Sequence, residues 1–103
     1  MRKRFDDELR HLNDLVLEMA SLNESAIKKA ISLLDERDKD IAADVIHDEE
    51  RTDQYEKTIQ NQCLKIFVEQ QPAASDLRRV SSALKMITDL ERIGDNARDI
   101  AEI

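Results

Sequence analysis

The stretch "FDDELRHLNDLVLEMASLNESAIKKAISLL" (5–34) decides the fold, because its apolar residues recur in alternating steps of four and three. The recurring positions are Phe5, Leu9, Leu12, Val16, Met19, Ala26, Ala30 and Leu33, with Leu15, Leu22 and Ile27 widening the stripe. Asn23 alone interrupts it. This spacing is typical of an amphipathic helix that packs in a bundle. It predicts a first helix over 3–35.

Two further helices follow at similar length. The charged segment "DERDKD" (35–40) ends the first stripe, and Asp38 is well placed to cap the next helix. A second apolar pattern begins at Ile41 and ends near Val68. This pattern predicts a second helix over 39–69.

Pro72 marks the next break, within "QQPAASD" (70–76). Proline disrupts a helix interior but suits a first helical turn. A third helix is therefore predicted over 73–102. Three long helices with short connections favour one domain over 1–103 of the all-α class, an antiparallel up-down-up three-helix bundle.

Composition and charge exclude several other classes of protein. Of 103 residues, 41% are hydrophobic and 38% are charged, with one glycine and one proline, which favours long helices over a sheet. The formal net charge of -7 argues against a nucleic-acid partner, since such a surface needs clustered Lys and Arg.

The sequence also favours a cytoplasmic location. Cys63 is the single cysteine and cannot form an intrachain disulfide, which fits a reducing compartment. No apolar segment follows the basic opening "MRKR", and no run of about 18 apolar residues occurs. We therefore expect neither a signal peptide nor a membrane span.

Two copies of a Glu-x-x-x-Asp motif interrupt the apolar faces. "EERTD" (49–53) lies in the middle of the second helix, within a segment that has no apolar residue. "ERIGD" (91–95) lies in the third helix, where Glu91 continues the column of Leu77 and Leu84. Both motifs therefore lie at the edge of a packing face.

The antiparallel register brings the two motifs to the same level. Each lies about 19–23 residues from the loop near Pro72, or roughly 30 Å at 1.5 Å per residue. Desolvated carboxylates are costly unless they are paired or bind metal, and bridging carboxylates suit multinuclear divalent sites. The spacing predicts a metal site formed by Glu49, Asp53, Glu91 and Asp95, with Gly94 allowing close approach of another backbone.

Two alternatives remain open from the residues alone. The first is a structural interaction module without metal, in which Arg51, Arg92 and Arg98 neutralise the same carboxylates. The second is a carboxylate-bridged di-metal oxidase, suggested by the Glu-x-x-His spacing of Glu8 and His11. That chemistry needs a second copy of the motif and two further Glu on facing helices. No second copy exists.

Other motifs of catalysis are missing from the sequence. There is no Gly-rich phosphate loop, no nucleophile motif and no dinucleotide fingerprint. Cys63 has no histidine in register and is more typical of a core residue, and His47 is more typical of a surface histidine. We therefore expect no enzyme activity and no organic cofactor.

Three stretches resemble the PhoU family, the phosphate-uptake regulators. They are "AADVIHDEERTDQYEKTI" (42–59), "QQPAASDLR" (70–78) and "LERIGDNARDIAE" (90–102). The resemblance implies a three-helix repeat with multinuclear iron or zinc clusters bound by paired Glu(Asp)-x-x-x-Asp motifs. Carried onto this sequence, those motifs are Glu49 with Asp53 and Glu91 with Asp95.

The chain departs from that family pattern at two positions. Asn96 stands where the family commonly has His, and Asp99 stands where it commonly has Asn. An imidazole is lost and a carboxylate is gained, which adds Asp99 to the candidate metal ligands. Members usually contain two tandem repeats, and this chain has the length of one, resembling the first. The chain is therefore either a fragment of a two-repeat protein or a single-repeat protein, for which we expect a homodimer to stand in for the missing half.

The resemblance also implies a regulatory role in the cytoplasm. Such proteins look like adaptors that restrain phosphate import and the phosphate-starvation response. The implied partners are the ATPase of the phosphate ABC transporter and its sensor histidine kinase. Contact with the membrane is expected only through these partners.

Overall fold

The computed structural model describes residues 2–70 and 74–102, which form three α-helices. Helix α1 spans Arg2–Asp35, α2 spans Lys39–Gln70 and α3 spans Ala74–Ala101. Each bound lies within one residue of the helices predicted from the sequence. No strand occurs in this part of the chain.

The start of α2 is fixed by the predicted cap. The backbone N–H of Asp40 donates to Asp38 Oδ1 at 2.8 Å, which satisfies one of the free amides of the first turn. At the same end of the bundle, Arg98 lies in the last turn of α3, where a cation complements the helix dipole. The predicted break at Pro72 lies outside the described residues.

The three helices pack against one another in an up-down-up arrangement. Arg4 of α1 pairs with Glu69 of α2, and Lys29 of α1 pairs with Asp48 of α2, so these two helices run antiparallel. Each helix contacts the other two, and the bundle measures 52 × 17 × 16 Å. The predicted all-α antiparallel three-helix bundle is confirmed.

The hydrophobic core falls into two clusters. The large cluster contains Phe5, Leu9, Leu12, Val16, Met19, Ile59, Cys63, Ile66, Val80, Ala83 and Ile87. The small cluster contains Ala26, Ala30, Leu33, Val45 and Ala97. Every apolar position of the alternating α1 stripe belongs to one of them, and burying each large aliphatic side chain contributes roughly 1.5–3 kcal/mol. Burial raises the pKa of the Cys63 thiol to about 11, which leaves it unreactive.

A polar layer separates the two core clusters. We define it as Asn23 of α1, Asp48, Glu49 and Thr52 of α2, and Gly94 of α3, all of which are buried. Along each helix these residues follow one apolar cluster and precede the other. The candidate carboxylates therefore lie where the apolar core is interrupted.

The outer surface exposes large apolar side chains on all three helices. They are Leu17, Ile31 and Leu34 of α1, Leu64 and Val68 of α2, and Leu77, Met86 and Ile93 of α3. Met86 and Ile93 share a column, because they are seven residues apart. The exposed fraction is 67% for Leu17 and 51% for Met86. Among the described residues, no helix combines the length and the apolar character needed to cross a membrane.

Candidate metal centre

Three carboxylates from α2 and α3 converge beside the polar layer. One oxygen of each of Glu49, Glu91 and Asp95 lies within 4.8 Å of the others. Glu49 is only 3% exposed, Glu91 is half-buried and Asp95 is exposed. The group is therefore closed towards the core by Glu49 and open to solvent at Asp95.

The antiparallel register places the Glu of each motif against the Asp of the other. Asp95 raises the pKa of Glu49 and Asp53 raises the pKa of Glu91, so each Glu lies close to the Asp of the other motif. Among the described residues, Asp53 does not belong to the group of three. The two predicted motifs therefore face each other between α2 and α3, with three of their four carboxylates in one group.

Asp99 lies outside the group of three. It is one turn beyond Asp95 on α3, and its side chain is exposed. Each four-residue step turns a side chain about 40° further around the helix. Asp99 is thus rotated away from the surface of α3 that faces α2.

Glu49 is buried but has a cationic partner. Burial raises the pKa of Glu49 to about 7, while the Arg98 guanidinium lowers it and the contacts with Asp95 and Asp53 raise it. Arg98 Nη1 donates to Glu49 Oε2 at 2.8 Å, and Arg98 Nε donates to Glu102 Oε1 at 2.8 Å. These two carboxylates raise the pKa of Arg98.

Glu91 has acidic neighbours. Burial raises the pKa of Glu91 to about 9, reinforced by the hydrogen bond and charge of Asp53 and by the charges of Glu56 and Asp95. Its Oε2 atom is buried and has no hydrogen-bond partner among the described residues. A buried acceptor of this kind is destabilising unless a ligand satisfies it.

Arginine pairing thus accounts for one carboxylate of the group. Arg98 neutralises Glu49, as the structural alternative requires. Arg51 and Arg92 are exposed and form no ion pair with any residue of 2–70 or 74–102. Within residues 2–70 and 74–102, no Lys or Arg side chain forms an ion pair with Glu91.

The donor set fits a divalent cation. Oxygens on opposite sides of one cation are about 4–5 Å apart, since metal–oxygen bonds are roughly 2.0–2.6 Å long. The spacing of Glu49, Glu91 and Asp95 meets that condition. A bound cation would interact with Glu91 Oε2. Its positive charge would also lower the pKa values of the surrounding carboxyl groups. Oxygen-only donors suit iron and other hard divalent ions better than zinc, which is more often bound by His and Cys.

Sequence reasoning missed two buried contacts of the polar layer. Asn23 Nδ2 donates to the Leu90 carbonyl oxygen at 2.6 Å and so connects α1 to α3. Lys29 Nζ donates to Asp48 Oδ2 at 2.9 Å and connects α1 to α2. The available signal was the interruption of the α1 stripe at Asn23.

The Glu-x-x-His pair lies in a different part of the bundle. Glu8 and His11 line a groove with Lys3, Gln62 and Lys65, and Glu8 Oε1 accepts a hydrogen bond from Arg4 Nε at 3.4 Å. Neither residue belongs to the carboxylate group. The groove is lined mainly by cationic and neutral polar side chains, which is unlike a di-iron site.

Comparison with known proteins gives one family match. A PhoU domain model matches residues 16–103. A phosphate-specific transport system accessory protein PhoU homolog of Clostridium acetobutylicum is 36% identical over 102 residues, covering 98% of this chain and 47% of the relative.

Two further relatives carry the same description. The PhoU homolog of Pseudomonas putida is 39% identical over 99 residues, covering 96% of this chain and 39% of that protein. The accessory protein PhoU of Escherichia coli is 36% identical over 97 residues, covering 94% of this chain and 40% of that protein. The chain spans less than half the length of the three relatives. The family model and these relatives establish that the chain belongs to the PhoU domain family.

Proposed function

We propose that this chain is a metal-binding regulatory adaptor of phosphate transport that acts in the cytoplasm and is not an enzyme. Family membership supports the regulatory role, because the relatives are named accessory proteins of a phosphate-specific transport system. The observation that carries the metal-binding part is the convergence of Glu49, Glu91 and Asp95 within 4.8 Å.

The proposed centre is a multinuclear iron or zinc site between α2 and α3. Glu49, Asp53, Glu91 and Asp95 hold the metal ions, and the oxygen-only donor set favours iron. Asp99 lies one turn beyond Asp95 on the solvent side and is rotated away from α2, so its role as a ligand stays a prediction. A bound cation would crosslink the two helices and so couple metal status to the shape of the bundle.

Metal binding is tested by titration and by melting. Purified protein treated with chelator is titrated with Fe²⁺ under argon and with Zn²⁺. At a hundredfold excess of metal over its Kd, binding should stabilise the fold by about 2.7 kcal/mol. Glu91→Gln should lose most of this gain, whereas Asp89→Asn, an exposed acid on the same helix, should keep it. Equal gains in both variants would exclude Glu91 as a ligand.

A second candidate function is a structural interaction module without metal. The Arg98–Glu49 ion pair favours it, because this pair neutralises the most buried carboxylate of the group. Under this alternative neither metal nor chelator changes the melting temperature. Glu91→Gln would then have the same effect on stability in both conditions.

The proposed partners are the transporter ATPase and the sensor histidine kinase. An adaptor needs a docking surface, and the exposed side chains of Met86 and Ile93 offer apolar area on α3. Pull-down of each partner by wild-type protein should be weakened by Met86→Lys and unaffected by Lys85→Met, which neutralises a neighbouring exposed residue. Failure of both partners to bind wild type would contradict this role.

We also propose that the chain self-associates as a homodimer. Exposed apolar side chains such as Leu17, Leu64 and Val68 supply surface that a second copy would cover. Sedimentation velocity should show dimer at micromolar concentrations. Monomer alone across that range would contradict self-association.

A further inference from the structure

Asn23 is a buried polar residue in the apolar stripe of α1. It is 2% exposed, and its Nδ2 donates to the Leu90 carbonyl oxygen of α3 at 2.6 Å. Its Oδ1 is buried and has no hydrogen-bond partner within the described part of the chain. Buried polar atoms are almost always satisfied, so this oxygen calls for a ligand.

The free oxygen of Asn23 faces Gly94 on the side that Glu49 also approaches. A Cβ atom placed on Gly94 would lie 3.2 Å from Asn23 Oδ1, 3.8 Å from Glu49 Cγ and 3.9 Å from Thr52 Cγ2. The Asn23 oxygen and the side chain of the most buried carboxylate therefore pack next to each other against Gly94. Gly94 itself lies between Glu91 and Asp95 on α3.

The carboxamide is oriented by its own hydrogen bond. Because Nδ2 is held by the Leu90 carbonyl, the amide group is fixed with Oδ1 towards Gly94. Glu91 Oε2 is a second buried oxygen beside this layer that has no hydrogen-bond partner among the described residues. These two acceptors come from different helices at one level of the bundle. A divalent cation, or a water molecule bound to it, is a ligand that both oxygens can bind.

We propose that Asn23 is the contribution of α1 to the metal centre, with Oδ1 supplying a neutral oxygen to a bound divalent cation directly or through one water ligand. This inference rests on the proposed metal binding by Glu49, Glu91 and Asp95. A carboxamide oxygen is a hard ligand that adds no charge to a site already rich in carboxylates. The centre would then join all three helices, not only α2 and α3.

The test separates the oxygen of Asn23 from its hydrogen bond to Leu90. Asn23→Ala removes both, whereas Asn23→Asp keeps an oxygen at the same place and removes the Nδ2 donor. Thr52→Val is the matched control, because Thr52 borders the same space and its hydroxyl donates only to the Asp48 carbonyl oxygen of its own helix. Each apo variant is first checked for folding by its circular dichroism melting curve.

Titration calorimetry with Fe²⁺ under argon and with Mn²⁺ then gives the affinity. Loss of a supporting polar group typically weakens metal binding about 10–100-fold, and we expect a loss of that size for Asn23→Ala. Asn23→Asp should bind at least as tightly as wild type, and Thr52→Val should bind within about twofold of it. In Mn²⁺-loaded protein, Asn23→Ala should also change the electron paramagnetic resonance spectrum.

Three results would overturn the proposal. Wild-type affinity in Asn23→Ala would exclude the oxygen from the site while leaving the metal centre intact. Equal losses in Asn23→Ala and Asn23→Asp would assign the effect to the Leu90 hydrogen bond, making Asn23 only a link between helices. If wild-type protein bound neither metal, the proposed metal function would fail together with this inference.

Discussion

The two halves of the carboxylate site use the same motif in opposite electrostatic settings. In the Glu49 half, Glu49 meets Asp95 and is paired with Arg98. In the Glu91 half, Glu91 meets Asp53, with Glu56 and Asp95 as further negative neighbours. Glu91 Oε2 has no hydrogen-bond partner within the described part of the chain, whereas Glu49 Oε2 accepts a hydrogen bond from Arg98 Nη1 at 2.8 Å.

This difference shows that the motif alone does not determine the need for a cation. A buried ion pair compensates part of the desolvation cost of its carboxylate. The Glu49 half therefore ionises close to neutral pH, while the Glu91 half holds a proton until the solution is alkaline. A divalent cation would therefore stabilise the folded protein most by binding at the Glu91 half.

The largest expected effect is a loss of stability of the apo protein as pH rises. The pKa is raised from 4.5 to about 7 for Glu49 and to about 9 for Glu91. The folded state then binds more protons than the unfolded state, so the free energy of unfolding falls as pH rises from about 4.5 to 9. After discounting for coupling and partial exposure, the expected fall is about 2–4 kcal/mol. Urea unfolding in the presence of chelator measures it.

The same titration separates the two halves by pH window. In Glu49→Gln, the free energy of unfolding should no longer show the decrease that is complete near pH 7. In Glu91→Gln, it should no longer show the decrease that continues towards pH 9. Two variants with identical pH profiles would contradict the distinction between the halves.

Removing Arg98 should make the Glu49 half resemble the Glu91 half. Arg98→Gln leaves Glu49 buried without its guanidinium, so the pKa of Glu49 should rise further. The melting temperature should fall by several degrees at pH 8, where Glu49 is ionised, and much less at pH 5, where it is protonated. Arg92→Gln, an exposed arginine on the same helix, is the control. A loss of stability that is equal at both pH values would indicate a role for Arg98 other than pairing with Glu49.

A smaller effect is expected at Gly94, between the two halves. Alanine in a helix is favoured over glycine by about 1 kcal/mol, but the new Cβ would crowd Asn23 Oδ1. Gly94→Ala should therefore be nearly neutral in wild type and stabilising by about 1 kcal/mol in an Asn23→Ala background. Chemical denaturation of the four proteins of this double-mutant cycle measures the coupling. If the two substitutions had additive effects on the free energy of unfolding, the Asn23 side chain would move away from the new Cβ without destabilising the protein.

The smallest effect is expected for Glu91→Gln in the apo protein near pH 5. At this pH Glu91 is protonated in the folded state, since its pKa is about 9, and partly protonated in the unfolded state, where its pKa is 4.5. Folding therefore takes up less than one proton, so the substitution should leave stability unchanged or raise it by a few tenths of a kcal/mol. At pH 7 the gain should be larger, because Glu91 is then ionised in the unfolded state. Denaturation curves with chelator at both pH values measure it. A clear loss of stability in Glu91→Gln would mean that its charge is compensated within the fold.

The fold was predictable because it depends on periodicity. The alternating apolar stripe of α1 defines one buried face, and the equal lengths on either side of Pro72 bring Glu49 level with Asp95 and Asp53 level with Glu91. Helix geometry converts sequence spacing into height and direction with little freedom. The convergence of the two motifs therefore followed from counting residues.

The partners of the carboxylates were less predictable. Arg51, Arg92 and Arg98 are equivalent in the sequence pattern, and only the packing of α3 on α2 brings Arg98 within 2.8 Å of Glu49. In the sequence, Asn23 only interrupts the apolar stripe of α1. Periodicity indicates which face of a helix is buried, but not which atoms come into contact there. The roles of all five carboxylates in metal binding, including that of Asp99, stay predictions.

The polar layer divides the bundle into two units of unequal packing. The small cluster contains Ala26, Ala30 and Ala97, so it buries less apolar area than the large cluster beyond the layer. Regions with less buried apolar area open at lower free energy, and their amides exchange with deuterium sooner. The end of the bundle near Leu33 and Val45 should therefore exchange before the end near Ile59. A cation bound at the boundary would slow that exchange.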